Sequence, residues 1–140
     1  MKRFRYGHAA AADWRAAAAS CLAQLDGGED AGTDKLGFIY VTDFFAESLQ
    51  EIARHFERET GVGHWVGTVG IGICATGKEY LDEPAMAVMI GDFTEGSFRV
   101  FGAVSDTVRL QTLDLRCGSA AASIAVPGTP SQRPRCRVRR

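Results

Sequence analysis

The residues whose types could do chemistry are Cys74 and the histidines at 8, 55 and 64, together with the glycines at 61, 63, 67, 70, 72 and 77, which could let a backbone loop cradle a ligand. A cysteine nucleophile needs a base within hydrogen-bond reach. Cys74 and His64 are ten residues apart on what the pattern predicts to be one extended strand. That spacing places them on the same face but roughly 33 Å apart if the strand is straight. Gly72-Ile73-Cys74-Ala75-Thr76-Gly77-Lys78-Glu79 comes close to a phosphate-binding P-loop. Glu79 stands where that motif needs a magnesium-binding hydroxyl, and its charge would repel phosphate. Pro84 also breaks the helix that should follow. Gly70-x-Gly72 followed by Gly77 lacks the third glycine spacing of a dinucleotide fingerprint. Glycines in a strand otherwise mark bulges or close backbone approach, for packing or for a ligand. The three histidines have no short mutual spacing and give no zinc signature. Neither a metal nor a cofactor is expected, and no catalytic constellation is complete.

The elements that must position any site follow from hydropathy and turn residues. Phe4 to His8 alternates and predicts a short strand, followed by a helix from about Asp13 to Leu25 with Asp13 as its N-cap. Trp14, Ala18, Cys21, Leu22 and Leu25 form one apolar stripe on that helix, so Cys21 is a core side chain. Leu36 to Val41 is almost continuously apolar, the pattern of a central strand covered on both faces. Thr42 or Asp43 can cap a second helix whose stripe is Phe45, Leu49, Ile52, Ala53 and Phe56, with Gly61 as the left-handed terminator. His55 lies beside that stripe and is expected at the boundary with solvent. Beyond Gly63 the period changes to that of strands, at His64 to Ile73, Pro84 to Asp92 and Phe98 to Val104, with turns at Gly77 and Glu95-Gly96. The predicted fold is mixed α/β, of α+β type: a β-α-β-α-β opening followed by a β-meander.

In open α/β sheets, ligands lie outside the carboxyl ends of parallel strands, where neighbouring loops converge. If the first three strands are parallel, those ends bring together His8, Thr42, Asp43, Gly67 and Thr68. The amides that open the second helix would favour a carboxylate or other anion there. In the alternative reading Asp43 only caps the helix and Thr68 only sits in a strand.

Composition limits the classes of function. The chain has 140 residues, 46% of them hydrophobic and 24% charged, with a formal net charge of −1; that suits one ordinary globular domain. Five of its 16 basic residues are the arginines at 133, 135, 137, 139 and 140, so residues 1–132 carry 11 basic against 17 acidic side chains, net −6. Such a body is a poor nucleic-acid binder, because phosphate affinity rests on clustered Lys and Arg. The longest apolar stretches fall far short of the ~18 residues of a membrane span. The N-terminal basic and Ala-rich stretch, ending Ala18-Ala19-Ser20-Cys21, is similar to a lipoprotein export signal, but Asp13 and Arg15 interrupt it. The four cysteines are 53, 43 and 19 residues apart, a usage that suits the reducing cytoplasm.

Taken in order, Leu36 to Thr42, the amphipathic helix, Trp65 to Gly72, Gly77-Lys78-Glu79 and Pro84 to Met89 resemble the N-terminal part of the FIST family, from about Phe4 to about Val104. The resemblance implies a bacterial, cytoplasmic, non-enzymatic sensory domain of signal transduction. It further implies a small ligand such as an amino acid, a signalling protein as partner, and neither nucleic acid nor membrane as partner. It assigns no catalytic residue. The alternatives are an enzyme using the glycine-rich strand and Cys74, or an inactive remnant. Family members continue through a further strand-helix unit and a second domain, and only Ser123 to Pro130 echoes the start of that unit. A truncated or frame-shifted product is therefore expected, with a partial FIST-like domain over 1–117 and a disordered basic tail over 118–140. The tail is rich in Ala, Ser, Pro and Arg, and its prolines interrupt helix and strand. Deleting 118–140 is expected to leave the melting temperature nearly unchanged; a large drop in thermal unfolding would show that Ile124 and Val126 form a real strand.

Overall fold

The structure, a computed structural model, describes residues 4–25 and 34–100. Its elements in chain order are β1 (Phe4–Ala10), α1 (Trp14–Leu25), β2 (Asp34–Thr42), a 3-10 turn (Asp43–Ser48), α2 (Leu49–Thr60), β3 (Trp65–Gly70), β4 (Gly72–Ala75), β5 (Lys78–Leu81) and β6 (Ala85–Phe93). Four strands form one sheet in the order β1-β6-β2-β3, and β4 and β5 form a separate hairpin. The fold is mixed α+β.

The first three strands do run in one direction. β2 and β3 pair in parallel, while β6 pairs antiparallel with both β1 and β2. The last strand is therefore inserted between the first and second. β2 is central, with β6 on one side and β3 on the other, but it is not covered on both faces as its apolar pattern predicts: Tyr40, on the face away from the helices, is 43% exposed.

Local signals account for most of the boundaries. Asp13 caps α1, its Oδ2 accepting the Ala16 N–H at 3.2 Å. Gly61 ends α2 with φ 70°, and its N–H bonds to the Glu57 carbonyl at 2.9 Å. The expected cap at Thr42 is different: it precedes a 3-10 turn and its side chain makes no capping bond, because its hydroxyl is engaged across the sheet. The stretch from His64 to Ile73 is not one strand. It bends at Ile71, which is 78% exposed, and β4 leaves the main sheet. Gly70 permits the bend, since a Cβ there would lie 2.7 Å from the Gly72 carbonyl oxygen. Residues 98–100 are not a strand, and the rest of the segment expected to run to Val104, like the tail over 118–140, lies outside the described residues.

Both helices cover one face of the sheet. Ile39, Val41, Met86, Val88, Ile90 and Trp65 from the strands meet Cys21 and Leu25 of α1 and Ile52 and Phe56 of α2 in one buried core. Gly37 makes room for Trp65: a Cβ at Gly37 would sit 2.2 Å from the indole ring. The indole N–H donates to the Val62 carbonyl at 2.7 Å, and the ring packs on Phe56 at 5.6 Å between centroids. Phe56 is fully buried. Phe56→Ala is expected to cost about 3–5 kcal/mol in chemical denaturation; a loss below about 1 kcal/mol would contradict this docking of α2.

Candidate ligand-binding face

Strand register aligns the chemistry on the face away from the helices. His8 pairs with Ala87, Ala87 with Tyr40, and Tyr40 with Thr68. Residues opposite one another point to the same side of a sheet, and strand spacing puts the ends of this row about 14 Å apart. The next row on the same face is Tyr6, Met89, Phe38 and Val66. Phe4, Tyr6 and Tyr40 are exposed there at 49%, 50% and 43%, so the face carries a run of accessible aromatic rings beside polar groups.

The β4-β5 hairpin covers the far end of this face. Ile73 and Tyr80 bury themselves there with Ala85, and Ala75 and Ala87 pack against them. Gly77, with φ 76°, makes the hairpin turn between the two strands. The P-loop-like segment is thus a strand, a turn and a strand.

The five residues expected from strand ends divide by position. His8 and Thr68 stand in the same row of the open face, the first partly buried and the second exposed. Thr42 points to that face too but is completely buried. Its hydroxyl donates to the Glu83 carbonyl at 2.9 Å and accepts the Ala85 N–H at 3.0 Å, tying the start of β6 to the end of β2. Asp43 is exposed beyond the strand end, in the 3-10 turn. Gly67 pairs with the core residue Ile39 and faces the helices, and a Cβ there would meet the Ile39 carbonyl oxygen at 2.0 Å.

The structure adds partners that spacing along the chain does not show. The Tyr80 hydroxyl lies 2.6 Å from His8 Nδ1, and the two rings meet edge to face at 5.7 Å. Burial raises the Tyr80 pKa above the usual tyrosine value, with smaller contributions from Cys21 and Glu83. The bond joins a neutral phenol, which can donate or accept, to a ring nitrogen whose role follows the His8 tautomer. The Lys78 ammonium sits 4.4 Å from the centre of the Tyr80 ring, a cation-π distance. Gln24 of α1 grips the His8 backbone: its Nε2 donates to the His8 carbonyl at 2.9 Å and its Oε1 accepts the His8 N–H at 3.2 Å. That contact supplies on the open edge of β1 the bonds a further strand would have made. The alternation of Lys78 and Tyr80 along a strand beginning just after Gly77 was the available signal, but it named no partner.

The other reactive groups lie apart. Cys74 is exposed on the hairpin, opposite Glu79. His64, just before β3, packs its ring on Phe98 at 5.6 Å. Burial pushes the Cys21 thiol up to about 12, which keeps it protonated and unreactive. Among the described residues no group of three or more His, Cys, Asp or Glu could hold a metal ion, and no helix is long and apolar enough to cross a membrane. Compared with protein-family models, curated proteins and solved structures, the chain has no match in any of the three.

Thr42→Val would keep the shape and remove both hydroxyl bonds, leaving the buried Ala85 N–H without its acceptor. A loss of about 1–3 kcal/mol is expected by urea denaturation. No loss would mean that the hydroxyl does not hold β6 in place.

Proposed function

We propose that this chain is a non-enzymatic sensory domain that binds a small ligand of the amino-acid class on its helix-free face and passes that state to a signalling protein partner. The observation that carries the reading is the Tyr80–His8 bond beside Lys78. It holds the imidazole against Tyr80, whose ring also carries the Lys78 ammonium, and a cation with polar groups nearby suits a carboxylate. Tyr40 shares the row with His8, two strand spacings away, so an apolar side chain of the ligand has an aromatic surface to lie on. The resemblance of the strand, helix and glycine-rich strand order to FIST domains supports the same ligand class and a cytoplasmic setting. Cys74 has no part in this reading.

Thermal-shift screening against the amino acids, followed by calorimetry on the best, tests it. A saturable ligand is expected, weakened about tenfold or more by His8→Ala or Lys78→Ala, as for loss of a hydrogen bond to a charged group, and unchanged by Cys74→Ala. No amino-acid ligand, or binding indifferent to His8→Ala, would refute the proposal. Loss of binding in Cys74→Ala would favour the enzymatic alternative.

A further inference from the structure

The helix side of the molecule has a cleft of about 500 Å³ that the proposed ligand face does not use. It lies between the first turn of α1 and the middle of α2, and is lined by Trp14, Arg15, Glu51, Arg54, His55 and Arg58. Its volume falls within the usual range for small-ligand sites, about 300–1,000 Å³. Three guanidinium groups and one imidazole line it with one carboxylate, Glu51, and a second, Glu59, lies behind them, 3.1 Å from Arg58 and 3.9 Å from His55. We infer that this cleft binds a small phosphate-bearing anion.

The arrangement supplies donors and few acceptors. Arg15 stacks over Trp14 at 4.2 Å, and its Nη2 is 3.8 Å from Glu51, with both side chains 63% exposed. An ion pair at that distance and exposure holds its partners weakly. Arg58 donates through Nη2 to His55 Nδ1 at 2.9 Å and through Nε to Glu59 at 3.1 Å. Arginine can only donate, so His55 Nδ1 is the acceptor there and the His55 ring proton is on Nε2. The ring is held edge-on by Trp14 at 5.6 Å and by Phe56 at 5.9 Å. Arg54, one helical turn before Arg58, makes no hydrogen bond or ion pair among the described residues. Like charges at i, i+4 weaken a helix on their own, and an anion bridging them reverses that sign. A carboxylate is satisfied by one guanidinium fork. A phosphate group presents three terminal oxygens, which match the guanidinium groups of two helices and the imidazole N–H.

The test is calorimetric titration of the intact chain with pyrophosphate and with inorganic phosphate, against acetate and chloride at matched ionic strength. Saturable binding of the phosphates is expected, with acetate and chloride giving none. Arg54→Gln should weaken it about tenfold, Glu51→Gln should tighten it by removing the repelling charge in the lining, and His8→Ala should leave it unchanged. Because Arg54 is exposed and unpaired, Arg54→Gln is expected to keep the parent melting temperature, which separates lost binding from lost folding. No saturable phosphate binding, equal binding of acetate, or undiminished binding in Arg54→Gln would overturn the inference. Phosphate binding lost in His8→Ala would instead place the anion on the opposite face and overturn it as well.

Discussion

The insertion of β6 between β1 and β2 is the constraint from which the other features follow. Among the described residues β1 pairs with β6 alone, so its place in the sheet is set by residues that come more than seventy positions later. β6 makes its backbone bonds on both edges along nearly its whole length. Its start is fixed by the Thr42 hydroxyl, which takes up the Ala85 N–H and the Glu83 carbonyl where the chain enters the sheet. A buried amide without an acceptor would otherwise oppose that entry. Placing β6 there also sets the register that puts His8, Tyr40 and Thr68 in one row.

The two faces of the sheet do different work. On one, side chains of β2 and β6 meet the stripes of α1 and α2, with the Trp65 indole N–H and the Cys21 thiol each bonded to a backbone carbonyl. On the other, among the described residues, the β4-β5 hairpin offers cover, and beyond it Tyr6, Phe4 and Tyr40 stay accessible. The hairpin reaches that face because the chain bends at Gly70-Ile71-Gly72 and leaves the main sheet. Tyr80 arrives on it, and burial raises its pKa, so the phenol stays neutral beside His8. The orientation of His8 is thus set from three sides: by β6 through the backbone, by Gln24 of α1 through the strand edge, and by Tyr80 through the ring.

The glycines between 61 and 77 illustrate how one composition signal separates into several physical roles. Gly61 terminates a helix and Gly77 makes a hairpin turn, both with positive φ. Gly67 lies against the β2 backbone and Gly70 permits the bend. The rhythm that resembles a nucleotide loop is the sum of these separate requirements, and the hairpin it builds carries Lys78 and Tyr80 to the candidate site.

The sequence by itself determined the local parts: the capped α1, the apolar stripe and left-handed end of α2, the central place of β2, and the β-period after Gly63. Each depends on contacts a few residues apart or on whether a position meets water, and hydropathy periodicity records both. It misplaced the strand ends, since β1 runs on to Ala10 and β3 to Gly70, so His8 and Thr68 lie inside their strands. Tertiary structure alone decided which strand lies beside which. A strand's pattern records hydropathy and is silent about its neighbour, so the separation of β1 from β2 by β6 could not be inferred. The same holds for the hydroxyl of Thr42, diverted from capping to a contact 43 residues away, and for the bond between His8 and Tyr80, 72 residues apart. Those pairings are set by the packing of whole elements, which no local window of the chain contains.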